Sequence, residues 1–157
     1  LEFRYEIFET TYHTFLLVHT NRGTVLIEST DPLNGFITDK ALVEQQIQQY
    51  RQLQIKQDGN KYTYDFNNEV FRRTSLYELI GLMYFNKAVA MFNVGDLMGA
   101  SAALEIAGAY YKSQRIQDFL NIIALSVINS SLDDEQKKSC LRKYQAIIAG
   151  QKLVSIN

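Results

Sequence analysis

"YHTFLLVHTNRGTVLIESTDPLNG", residues 12–35, sets two runs of β-forming residues, 14–20 and 24–30, around the turn-forming "NRG". This is the pattern of an antiparallel hairpin. Asp31 and Pro32 set a further turn at its exit, where Gly35 permits a positive φ. The hairpin carries His13 at its entrance and two acids, Glu28 and Asp31, near its end. Which acid faces the imidazole depends on register. A three-residue loop over 21–23 puts Asp31 directly opposite His13, whereas a two-residue loop at Arg22 and Gly23 puts Glu28 on the histidine's face, further along.

Working outward, "FRYEIFE" (3–9) alternates as a half-buried strand does, and "TDKALVEQQIQQYRQLQ" (38–54) has helical periodicity. Thr38 is a candidate N-cap for that helix, with Val43, Ile47 and Tyr50 on one face. "IKQDGNKYTYDF" (55–66) has the turn chemistry of another hairpin. Near residue 74 the chain changes character. "SLYE" (75–78) has capping-box spacing and opens a helix to about Asn93, "VGD" (94–96) breaks it, and Asp96 is placed to cap the next helix, 97–113. Two more helical segments follow, 115–130 and 133–149, the last closed by Gly150. The expected fold is α+β: a small antiparallel sheet in a β-rich part, 1–73, then a module of four antiparallel helices, 74–157. Ala88, Gly99, Ala100, Ala103 and Ala107 would let those helices approach closely.

Composition narrows the function classes. A length of 157 residues with 46% hydrophobic content suffices for a sizeable core. Sixteen basic and seventeen acidic residues leave a net charge of -1, so no overall field attracts nucleic acid or an anionic membrane. The single cysteine, Cys140, rules out an internal disulfide framework, and with only two histidines there is no zinc spacing. No apolar run approaches a membrane span, and the opening "LEFRYEIFETT" lacks the apolar core of a signal peptide. These features suggest a soluble protein of cytoplasm or periplasm. Opening without Met in what reads as mid-strand, the chain also reads as a fragment of a longer protein. No dinucleotide, Walker-type, serine-hydrolase or zincin motif is present, so no cofactor is expected. The ten tyrosines and nine phenylalanines are not interleaved with Lys and Arg as a single-strand nucleic-acid groove requires. Most are expected in the core, with Tyr62, Tyr64, Tyr110 and Tyr111 nearest a surface.

A histidine and a carboxylate facing one another across a hairpin form a catalytic pairing: the acid accepts the Nδ1 proton, fixes the tautomer and steadies the imidazolium. A structural role, with His13 at a strand end bonded to Asp31 or a backbone carbonyl, stands beside it. "HTFLLVHTNRGTVLIESTDPLNG" resembles the His and Asp hairpin of the transglutaminase-like branch of the papain-type superfamily. The segment "YFNKAVAMFNVGDLMGASAALEIA" (84–107) resembles a tetratricopeptide repeat, with Tyr84, Ala88, Met91, Gly95, Ala100, Leu104 and Ala107 at the pattern positions. One period later the register departs, with Asp118 in place of Tyr84 and Ile122 in place of Ala88.

The first resemblance implies His13 as the general base that generates a thiolate, with Glu28 or Asp31 orienting it, in thiol acyl transfer or cysteine-peptidase-like hydrolysis. In that family the acid is usually Asp and the cysteine precedes the histidine. No cysteine lies upstream of His13 here, and Cys140, among Lys137, Lys138, Arg142 and Lys143, lies on the other side of the family order. The plainer reading of Cys140 is a small buried thiol. The chain therefore reads as the rear part of a transglutaminase-like domain, not catalytic alone. Its Cys is either supplied by an upstream segment or second chain, or lost in an inactive relative. The alternative is a non-enzymatic protein-protein interaction module, in which the helices bind a protein or peptide partner.

Overall fold

The computed structural model describes residues 3–10, 13–28, 35–55 and 71–152. The fold is α+β. The chain divides into two compact units, residues 1–75 and 76–157.

In the first unit β1 (Arg4–Glu9), β2 (Thr14–Thr20), β3 (Gly23–Ile27), β4 (Phe36–Ile37) and β5 (Arg72–Thr74) form an antiparallel sheet in the order β4-β3-β2-β1-β5 among the described residues. The hairpin register differs from both expected ones. Thr20 pairs with Gly23 and Leu16 with Ile27, so the turn is Asn21–Arg22, one residue earlier than the two-residue loop expected. Local chemistry accounts for this placement. The Thr20 hydroxyl donates to the Gly23 carbonyl at 2.8 Å and accepts from the Arg22 N–H at 3.2 Å. Gly23, at φ +132°, then takes the backbone conformation that returns the chain to the strand twist.

Helix α1 (Lys40–Ile55) covers one face of this sheet. Asp39, not Thr38, caps it, accepting from the Leu42 N–H at 3.0 Å. Val43, Ile47 and Tyr50 pack against Phe15, Leu17 and Leu26. Phe15 is fully buried in a ring cluster, its centroid 5.3 Å from Phe8, 5.0 Å from Tyr50 and 6.1 Å from Phe71. Within the same unit, Arg72 Nε donates to the buried Glu9 Oε2 at 2.9 Å, an ion pair that fastens β5 to β1. Ile55, expected to open a hairpin over 55–66, instead ends α1; the rest of that hairpin, with Tyr62 and Tyr64, lies outside the described residues, as does Asp31.

The second unit contains α2 (Leu76–Asn93), α3 (Leu97–Tyr110), α4 (Gln114–Ile128) and α5 (Asp134–Lys152). Gly95, at φ +82°, ends α2: its N–H bonds the Phe92 carbonyl and the Asp96 N–H bonds the Met91 carbonyl, which is the Schellman arrangement. Asp96 then caps α3 as expected, accepting from Gly99 at 2.8 Å. Asp133 and Gln136 cap α5 reciprocally. Helix α5 runs through Gly150, which does not close it as expected; with no positive φ there, the helix continues to Lys152.

The helices form two hairpins stacked in one sense. The first helices of each pair meet through Phe85 and Phe92, both edge-on to Phe119. The second helices, α3 and α5, run in the same direction, touching at Met98 and Cys140, Ser101 and Tyr144, and Gly108 and Ile147. Ala88, Ala100, Leu104 and Ala107 are fully buried, Tyr84 and Met91 partly so. Tyr110 is exposed, whereas Tyr111, expected near the surface, is buried: its backbone and Cβ sit against Gly81, and its ring lies beside Phe85.

One buried polar pair in this core yields a pH prediction. The Ser101 hydroxyl donates to the Leu97 carbonyl at 2.6 Å, so the Tyr144 hydroxyl, 2.5 Å away, must donate to Ser101. Burial pushes the Tyr144 hydroxyl from 10.0 up to about 12, opposed by the Ser101 hydroxyl, which can turn its proton to a phenolate, and reinforced by Cys140. Above pH 10 the unfolded chain gives up this proton while the folded chain keeps it, so stability falls as pH rises towards 12. The expected slope is up to about 1.4 kcal/mol per pH unit. Urea unfolding of wild type and Tyr144→Phe at about pH 9 and about pH 11 checks this; equal pH dependence in the two proteins would refute it.

Candidate active site

Three elements of the first unit converge on His13. The first is the connection between β1 and β2. The Thr10 N–H donates to the His13 carbonyl at 2.8 Å, and its hydroxyl donates to that oxygen at 3.0 Å while accepting from the His13 N–H at 2.9 Å. Thr10 is buried, so this clamp fixes the His13 backbone at the entrance of β2.

The second element is the end of β3. Continuing the register past Leu16 and Ile27 places Glu28 opposite Phe15, and His13 lies two residues before Phe15 on the same face. Glu28 is thus a diagonal neighbour of His13, at a Cβ separation of roughly 7–8 Å in such a pair, which a long acidic side chain spans. Its backbone N–H is held by the Gly35 carbonyl at 2.7 Å. Glu28 Oε1 lies 2.9 Å from His13 Nδ1. The Glu28 side chain is 6% exposed and that of His13 41%, so a buried acid stands behind an accessible imidazole.

The third element is α1, which brings Tyr50 over the pair. The Tyr50 hydroxyl donates to Glu28 Oε2, and its ring stacks on Phe15 with its centroid 6.2 Å from that of His13. A carboxylate that accepts on both oxygens is fixed in position as well as paired. With Nδ1 engaged by Glu28, Nε2 is the nitrogen that can exchange a proton with a reacting group.

Of the sequence-predicted site residues, the structure brings His13 and Glu28 together, while Asp31 lies outside the described residues. Tyr50 was expected on the core face of its helix; its bond to Glu28 adds a site role that nothing in the helical pattern signals. His19, further along β2, is only partly exposed, its Nδ1 sharing a hydrogen bond with the Thr24 hydroxyl at 3.1 Å. Cys140 is fully buried in the helical core with Sγ 3.4 Å from Met98 Sδ, a packing position without access for a substrate. Among the described residues there is no group of three or more His, Cys, Asp or Glu side chains able to hold a metal. Nor is any described helix long and apolar enough to cross a membrane. No protein-family model, curated protein or solved structure matches the chain.

Proposed function

We propose that the first unit is the base-and-acid part of a transglutaminase-like thiol acyl-transfer site, with the cysteine supplied from outside these residues. The observation that carries this reading is the 2.9 Å contact between His13 Nδ1 and a buried Glu28 carboxylate, made by an imidazole that is itself 41% exposed. In the reaction His13 Nε2 removes the thiol proton, and the thiolate attacks an amide carbonyl. His13 then returns the proton to the leaving amine, giving a thioester that water hydrolyses or a second amine captures. Glu28 keeps the proton on Nδ1 and offsets the charge of the imidazolium formed between the two proton transfers. The second unit serves in this proposal as a helical module for a protein or peptide partner, a role supported by its two hairpins stacked in one sense.

The test uses the protein isolated from its natural source, its N-terminus and intact mass determined, and labelling with a thiol-directed electrophile in wild type and His13→Ala. The expected result is a thiol other than Cys140 whose labelling slows by about 10²-fold or more without His13. Labelling confined to Cys140, or indifferent to His13, would overturn the proposal. That outcome would favour the second reading, a non-enzymatic protein-protein interaction module. Supporting it, Leu76, Ile80 and Met83 form an exposed apolar row along α2, with Tyr77 beside them.

A further inference from the structure

We infer that Tyr50 is a positioning residue of the His13 site, the anchor that lets a glutamate orient the imidazole. The functional meaning of this inference rests on the reading of His13 as a base; its geometry does not. A glutamate reaching diagonally across the hairpin has three side-chain torsions, and a contact at Oε1 does not by itself remove the rotational freedom of the second oxygen. Tyr50 removes that freedom by donating to Oε2 from α1, an element independent of the hairpin. The phenol is itself fixed: Tyr50 is buried, its ring stacked 5.0 Å from Phe15, and Val43 and Ile47 hold the same helix face on the sheet. Helix packing therefore sets the position of Oε2, and Oε1 follows to His13 Nδ1. An aspartate at position 28, one methylene shorter, would not span to both partners.

The side chain at position 50 thus transmits the placement of α1 to the tautomer of His13, although it does not contact a reacting atom in the mechanism proposed above. Tyr50→Phe isolates this role, because it keeps the stacked ring and deletes only the donor.

The experiment is NMR of the full chain labelled with 15N-histidine, reading the His13 tautomer and the solvent-exchange rate of its Nδ1 proton. Wild type is expected to hold one tautomer, protonated at Nδ1. In Tyr50→Phe the Nδ1 proton should exchange about tenfold faster, the scale of one lost hydrogen bond, and the second tautomer should appear. Glu28→Asp, which keeps the charge, should show the same mixing. Wild-type tautomer and exchange rate in Tyr50→Phe, with the fold intact by its amide spectrum, would overturn the inference. So would an unchanged His13 signal in Glu28→Asp. Neither readout needs a thiol. If labelling proves indifferent to His13 while Tyr50→Phe mixes the tautomers, the catalytic reading fails and the positioning role stands; the reverse pattern removes Tyr50 alone.

Discussion

Phe15→Ala should destabilise the first unit by about 3–5 kcal/mol, the usual cost of emptying a fully buried aromatic site. The effect belongs at the upper end of that range, because the ring is central to its cluster rather than at its edge. Phe8, Tyr50 and Phe71 all stack or tilt against it, so no single neighbour can close the void without leaving another. The loss also reaches the site. Tyr50 would lose the surface that fixes its ring, and with it the fixed donor to Glu28 Oε2. Amide hydrogen exchange at Leu17 and Leu26, paired across the hairpin, measures the first effect. An acceleration of about 10² or more is expected, whereas less than about tenfold would show that the rings repack around the void.

The same residues mark where the sequence stopped being informative. Two β-forming runs around the turn-forming "NRG" identified the hairpin, although nothing in the run "TFLLVHT" singled out Phe15 and Leu17 as its buried residues. That pattern could not choose the acid, because lengthening the loop from two residues to three reverses which side chains share a face. What placed the turn at Asn21–Arg22 is a set of weak local contacts at Thr20 and Gly23, each satisfiable in more than one register. Val43, Ile47 and Tyr50 were legible as a face by spacing alone, yet the partner of the Tyr50 hydroxyl depends on how α1 crosses the strands. Short-range chemistry fared best where a motif closes on itself, as at Gly95 and Asp96. In the helical core the alanines announced close packing. The close approaches of neighbouring residues at Gly81 and Gly108 were missed because a glycine inside a helical pattern reads as a weakness rather than a contact.

Two Gly→Ala substitutions in the same unit should therefore have opposite signs. Both positions are helical, and in an unpacked helix alanine is favoured over glycine by up to about 1 kcal/mol. At Gly150 a Cβ meets nothing within 4 Å, so Gly150→Ala should stabilise by a few tenths of a kcal/mol, the gain being reduced near a helix end. At Gly81 the added Cβ would stand 2.6 Å from both the Cβ and the backbone nitrogen of Tyr111. Neither atom can move as the far end of a flexible side chain would. The Tyr111 N–H is bonded to the Ala107 carbonyl at 2.8 Å, and its ring is buried beside Phe85. Relief requires displacing the end of α3 from α2 or turning Tyr111 out of the core, and overpacking of this kind costs about 1–3 kcal/mol and occasionally more. Gly81→Ala should thus lose about 3 kcal/mol despite its better helix propensity, read as a lower urea midpoint with an unchanged slope. A neutral Gly81→Ala would mean that α2 and the end of α3 are not in contact at this point, and the tight first hairpin of the helical stack would have to be abandoned.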